Sequence, residues 1–201
     1  IERKENQFLL RWNKFLWAVC RFRERSGYDA DYVAQACARS KYNIVKAVRL
    51  PMRHLDILWR QIAPLDVKVV YLMRDPRGVY NSRKNMEWCN KEAICANIVN
   101  ICAEMRRDLA DYDRLKPVMG ANLVMLRYED ISLDPFNTSK QLFAKLKIDF
   151  SPNMRRYLKS HTESSSRHRD VSNPYSTYRT NSSSTALQWM NELNITEIRF
   201  A

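Results

Sequence analysis

Apolar residues recur along this chain with two periods, and each change of period marks an element. Over residues 4–25, Leu9, Trp12, Leu16, Val19 and Phe22 fall three or four apart with Arg and Lys opposite. That spacing predicts an amphipathic helix, ended by Ser26-Gly27. Asp31 offers a cap for a short helix over Tyr32 to Arg39. The period then collapses into a continuous run, Tyr42 to Val48, which reads as a buried strand. From Pro51 to Ala63 helical spacing returns, with Leu55, Leu58, Trp59 and Ile62 inward and Pro64 closing the helix. Val67 to Met73 is a second β-branched run, suited to a strand buried on both faces. Asp75 can cap and Pro76 can open a helix that continues from Arg77 to Lys84. A long helix follows from Glu92 to Leu115, striped by Ile94, Ile98, Ile101, Met105 and Leu109, stopped by Lys116-Pro117 and turned by Gly120. Asn122 to Tyr128 reads as a further buried strand. Helices are expected over Phe136 to Leu146, from Ser151-Pro152 through Leu158, and over Thr185 to Leu193. Strands alternating with helices predict an α/β fold, with a parallel sheet and right-handed crossovers.

Composition narrows the chemistry. The 201 residues suffice for one domain with a sizeable core. Lys and Arg number 34 against 22 acidic residues, a formal net charge of +12, which favours a polyanionic partner: nucleic acid, anionic membrane or sulfated glycan. Only three glycines occur, at 27, 78 and 120, so neither a Walker loop nor a dinucleotide-binding GxGxxG can be built. No stretch reaches the roughly 20 apolar residues that a membrane span needs. The five cysteines show no CxxC spacing and no paired His, which argues against zinc. Three of them, Cys89, Cys95 and Cys102, lie close enough in sequence for one disulfide. Sequons begin at Asn137, Asn181 and Asn194. The stretch from Ser160 to Ser184 is rich in Ser, Thr, Arg and His, and reads as a long polar loop serving as lid or acceptor-binding segment.

Candidate chemistry concentrates on Val67 to Arg83. Arg74 falls where the strand ends and a helix begins, the place where open α/β sheets bind ligands. A helix N-terminus attracts phosphate, and a guanidinium adds a planar fork that matches its oxygens. Ser82, eight positions after Arg74, can return a hydroxyl to the same anion. Lys46 is a charge inside an apolar run, a rare place for an unpaired lysine. Glu129 and Asp130 read as turn and cap residues that fix a strand end, and His54 as a solvated or capping side chain.

The run VYLMRDPRGVYNSR resembles the 3′-phosphate-binding motif of sulfotransferases, enzymes that use 3′-phosphoadenosine 5′-phosphosulfate (PAPS). It is most similar to that of the Golgi carbohydrate sulfotransferases, with Tyr71 for their usual His and Gly78 for their usual Ala. The segment YED at 128–130 followed by Asp134-Pro135 resembles a second signature of that family, and KAVRLP at 46–51 a third. The resemblance runs from Tyr42 to Leu193. It implies a three-layer α/β sandwich around a central parallel sheet, related to nucleotide kinases. The chain would be a single incomplete domain, truncated at both ends, with its core over 42–150. The loop that grips the 5′-phosphosulfate would be missing, and the piece alone inactive. Arg74 and Ser82 are implied to hold the 3′-phosphate, and Tyr128 and Thr162 the adenine. Lys46 would face the leaving 5′-phosphate, Arg49 the sulfuryl group or an acidic acceptor, while Arg167, Arg169 and Arg179 could reach either substrate. The implied reaction moves a sulfuryl group from PAPS to a sugar hydroxyl, at the 6-position, of a glycan or glycosaminoglycan, without a metal. The whole protein would be a type II Golgi membrane protein with a lumenal catalytic domain. The competing expectation is a non-catalytic basic module that binds nucleic acid or an anionic glycan.

Overall fold

The computed structural model describes residues 30–48, 50–84, 86–90, 92, 95–163 and 177–199; the helix expected over 4–25 lies outside them, as do Arg49, Arg167 and Arg169. The chain divides into two compact units, Ile1–Arg49 and Leu50–Ala201.

The described part of the first unit holds one helix, α1 (Ala30–Arg39), with Asp31 in its first turn. Beyond it the chain is irregular. Tyr42 to Val48 is not a strand, and it is not buried: Ile44 is 88% and Val45 89% exposed. Lys46 is exposed with them. The expectation fails because a strand is a paired structure, and no ladder engages this run among the described residues.

The second unit opens with a 3₁₀ turn, Met52–His54, that runs into α2 (Leu55–Ile62). Asp108, on a later helix, accepts the Met52 N–H at 2.9 Å and so caps that turn from outside. His54 stays exposed and caps nothing with its side chain. Strand β1 (Val69–Met73) follows, then α3 (Pro76–Arg83), α4 (Glu87–Asn90) and α5 (Ile98–Met119). Strand β2 (Leu123–Arg127) lies parallel to β1, with Val69 opposite Leu123 and Met73 opposite Arg127. The helices α6 (Tyr128–Leu133), α7 (Pro135–Leu146) and α8 (Pro152–Thr162) come next, then α9 (Ser182–Leu187), α10 (Trp189–Glu192) and α11 (Ile195–Arg199). The α/β reading holds in this coarse form: two parallel strands and many helices among the described residues.

Three helices start where an acceptor side chain precedes proline. Asp75 accepts from the Arg77 amide, Asp134 from that of Asn137 and Ser151 from that of Met154, each with Pro at the first helical position. Helix α5 departs from expectation at both ends. It begins at Ile98, because Cys89 and Cys95 form a disulfide that closes the preceding stretch and Asn97 then supplies the cap. It runs past Pro117 to Met119. Proline removes only its own N–H bond, one turn back, and the helix has no further turn to lose. Gly120 ends it at φ 55, and the Lys116 ammonium donates to the Gly120 carbonyl at 2.9 Å.

The core of this unit packs Met52, Leu55 and Trp59 against Leu115, Met119 and Leu123, with Val69, Tyr71 and Tyr112 at its edge. Strand β1 therefore buries one face only. Val69, Tyr71 and Met73 are half-buried, whereas Leu72 is 57% exposed. No helix of the described residues is long and apolar enough to cross a membrane.

Candidate functional site

The parallel register carries two side-chain pairs past the ends of the strands. Met73 is opposite Arg127, so the next residues in each chain, Arg74 and Tyr128, leave the sheet side by side. The Arg74 guanidinium stands 4.5 Å over the Tyr128 ring. One residue further, the Asp75 N–H donates to Glu129 Oε1 at 2.9 Å. The structure thus brings together two of the residues expected to hold the adenine nucleotide.

Arg74 is half-buried and, among the described residues, has no carboxylate partner. Asp75 is adjacent but committed elsewhere: its carboxylate accepts from Arg77 Nε at 2.9 Å and from Arg77 Nη2 at 2.7 Å, and from the Arg77 amide at 2.9 Å. Burial works to raise the Asp75 carboxyl, but the hydrogen bonds from Arg77 outweigh it and hold the carboxyl below its ordinary value. The N-terminus of α3 is therefore already served by an anion of the chain itself. The Arg77 amide is thus engaged by Asp75, whereas the buried Arg74 Nε has no partner.

Gly78 determines how closely Arg74 approaches α3. A Cβ at this position would come within 2.9 Å of Arg74 Nε and 3.2 Å of Trp189 Cδ1. Ser82 follows Gly78 by four residues on α3, hence on the same face one turn along, and it is exposed. The Arg77 guanidinium lies 4.1 Å over the Trp189 ring. The back of α3 is tied to the C-terminal helices: the Asn81 amide donates to Glu192 at 2.6 Å, and Tyr80 and Lys84 reach Glu197 at 3.2 and 3.4 Å.

Buried polar atoms in folded proteins nearly always find partners. Three side-chain atoms among the described residues do not: Arg74 Nε, Asn81 Oδ1 and Trp189 Nε1. All three lie on α3 or against its Gly78 face. Two surface depressions, of about 570 and 390 Å³, lie elsewhere, the first lined by Phe136, Arg155, Arg156 and Lys159 and the second by Tyr112, Lys116 and Lys145. Neither contains an orphaned polar atom, and the unsatisfied chemistry places the candidate site at Arg74 instead.

The sulfotransferase domain family matches residues 31–200. This chain belongs to that family. Among curated relatives of this sulfotransferase chain, carbohydrate sulfotransferase 3 of Tetronarce californica is 24% identical over 181 residues, covering 81% of this chain and 40% of that protein. Carbohydrate sulfotransferase 3 of Rattus norvegicus is 26% identical over 187 residues, or 85% of this chain and 38% of the relative. Human carbohydrate sulfotransferase 1 is 24% identical over 186 residues, or 84% of this chain and 44% of the relative. The chain thus spans about two fifths of the length of the relatives it matches. No solved structure matches it.

The remaining sulfotransferase expectations fare unevenly. Thr162, in the last turn of α8, donates its hydroxyl to the Leu158 carbonyl at 2.8 Å, so its own helix takes the group expected at the adenine. The Arg179 amide donates to His161 at 2.9 Å and its Nη1 to the Tyr178 carbonyl at 2.8 Å, which anchors the returning polar segment to α8. Lys46 lies on exposed chain of the other unit, and Arg49 lies outside the described residues. Sequence reasoning missed Glu129, Trp189, Glu192 and Glu197 as parts of the site. No local pattern announces a carboxylate whose partner is an amide 54 positions away.

Proposed function

We propose that this chain is the cofactor-holding portion of a carbohydrate sulfotransferase, which moves a sulfuryl group from PAPS to a sugar hydroxyl, at the 6-position, of a glycan. One observation carries the reading: a half-buried guanidinium at the end of a parallel strand, stacked on Tyr128, its buried Nε without a partner. That donor set fits an adenine nucleotide with a 3′-phosphate. Arg74 and the Ser82 hydroxyl hold the phosphate, and the Tyr128 ring and hydroxyl serve the base. Bound PAPS supplies the sulfuryl group. Transfer at sulfur is an in-line displacement, so the protein acts mainly by positioning and by cations that stabilise developing charge. Lys46 is the residue proposed for the leaving 5′-phosphate and Arg49 for the sulfuryl side, both on the family resemblance; Thr162 is retained on the adenine side on the same ground. The relatives' names support a carbohydrate acceptor; a setting in the Golgi lumen is proposed on the family resemblance alone.

The test is the thermal midpoint of this chain with 3′,5′-ADP and with 5′-AMP, alongside Arg74→Ala. Ligand at a hundred times its dissociation constant adds about 2.7 kcal/mol. Stabilisation by 3′,5′-ADP, weaker with 5′-AMP and strongly reduced in Arg74→Ala, is the expected result. An equal response to any polyanion, indifferent to Arg74, would instead indicate a basic module for nucleic acid or anionic glycan.

A further inference from the structure

We infer that Glu129 is a positioning residue for the phosphate-binding arginine: its buried carboxylate fastens the turn after β1 to the end of β2 and so fixes where Arg74 stands over Tyr128. The inference rests on reading Arg74 and Tyr128 as a nucleotide half-site.

Glu129 is only 8% exposed. A carboxylate taken out of water is unfavourable unless it is paired or hydrogen-bonded. Its ion pair with Arg127 is weak, because Arg127 Nε stands 4.0 Å away on a side chain that is 57% exposed. The close partner is the Asp75 amide at 2.9 Å. That bond continues the strand register by side chain where the backbones diverge into α3 and α6. Arg74 is consequently held on both sides. Met73 before it lies in the ladder opposite Arg127, and Asp75 after it is pinned by Glu129. With its neighbours fixed, the Arg74 backbone has little freedom, and the guanidinium is already ordered when an anion arrives. Charge on Glu129 is not what this role needs. It needs an acceptor oxygen at one distance.

Glutamine and aspartate separate the two requirements. Glu129→Gln keeps an acceptor oxygen at the same reach without the charge. Glu129→Asp keeps the charge and withdraws the oxygen by one methylene. Two quantities are measured: hydrogen-exchange protection of the Asp75 amide, and the dissociation constant for 3′,5′-ADP. In Glu129→Gln the amide should stay protected and binding should stay within about threefold of the unmodified chain. In Glu129→Asp protection should fall and binding should weaken about tenfold or more. In an Arg74→Ala background, where binding is weakened but measured at higher 3′,5′-ADP concentrations, the same aspartate substitution should produce no further weakening, since the effect passes through Arg74.

The reverse order, with Asp near the unmodified chain and Gln impaired, overturns the inference in favour of charge. Equal losses in both variants with a lowered melting temperature overturn it in favour of a merely structural role, and an additive loss on Arg74→Ala overturns it as well. Should the unmodified chain bind no 3′,5′-ADP, the nucleotide reading fails. The Asp75 amide then still decides, since protection kept by Gln and lost by Asp supports the turn-fastening role and unchanged protection in Asp removes it.

Discussion

Two apolar runs in this chain read alike and fold differently. Tyr42 to Val48 and Val67 to Met73 are both short, rich in β-branched residues and associated with a cation, Lys46 within the first and Arg74 just after the second. The second contains a strand in parallel register with β2, one face on a core and Arg74 set at its end. The first is exposed, irregular chain. An apolar run supplies only half of what a strand requires. The other half is a neighbour to accept its backbone bonds and a layer to cover its side chains.

The largest effect that can break this contrast comes from truncating one residue in each region. Leu123, fully buried beside β1, should lose about 2–5 kcal/mol on mutation to Ala. Ile44→Ala should stay within about 0.5 kcal/mol, as substitutions on exposed chain do. Urea denaturation of both variants measures the gap. Comparable losses would mean that the 42–48 run is packed in the folded protein and that the contrast is false.

A smaller effect sharpens the origin of the Arg74 turn. Asp75→Ala removes the α3 cap and the partner of Arg77, and should lower stability by about 1 kcal/mol. The same carboxyl sets an acid limb. Its folded pKa lies below the unfolded value of 3.8. Its contribution is therefore present above pH 3.8 and disappears as the pH falls through the lower folded value. Denaturation curves of the unmodified chain should show this loss and those of Asp75→Ala should lack it.

The last effect lies at the other end of the pH scale. Tyr71, in the β1 run, is pushed from 10.0 up to about 12 by burial and by the Asp108 carboxylate, toward which its hydroxyl points at 3.5 Å. The phenol favours the folded state while it keeps its proton. That contribution is intact below pH 10 and is lost as the pH rises toward 12. Tyr80 is raised as well, by burial and by its hydrogen bond to Glu197, so tyrosinate absorbance should show a late phase whose amplitude falls, without vanishing, in Tyr71→Phe. An undiminished late phase in that variant would mean that Tyr71 titrates with the exposed phenols and that β1 does not enclose it.

The contrast also explains what could be read from sequence. Helix starts at Asp75-Pro76 and Ser151-Pro152 were legible because a cap and its amide lie within three residues of each other; Asp134-Pro135, read only as part of a family signature, starts α7 in the same way. The Arg74–Tyr128 pairing was foreseeable only as two separate motifs, since it depends on the register of strands 54 residues apart. Glu129 read as a local cap because its sequence neighbours suit one; its partner is remote. Trp189 reads as an ordinary core residue on its helical stripe, and only the fold lays Arg77 across its ring. The end of α5 was misplaced because proline stops a helix firmly only where turns remain to be broken.

Gly78 has a consequence for how variation at this site would be seen. Glycine inside a helix is about 1 kcal/mol less favourable than alanine, and here it leaves the gap into which the Arg74 side chain settles. Replacement by alanine favours the helix by propensity but presses on the Arg74 guanidinium and on the buried Trp189 ring, so its effect on folding is a balance of the two while its effect on Arg74 has one direction. A survey that scores variants by abundance or folding would record only the balance between helix propensity and the Trp189 contact. A survey that scores nucleotide capture would rank it as damaging, and the disagreement between the two would itself locate the site.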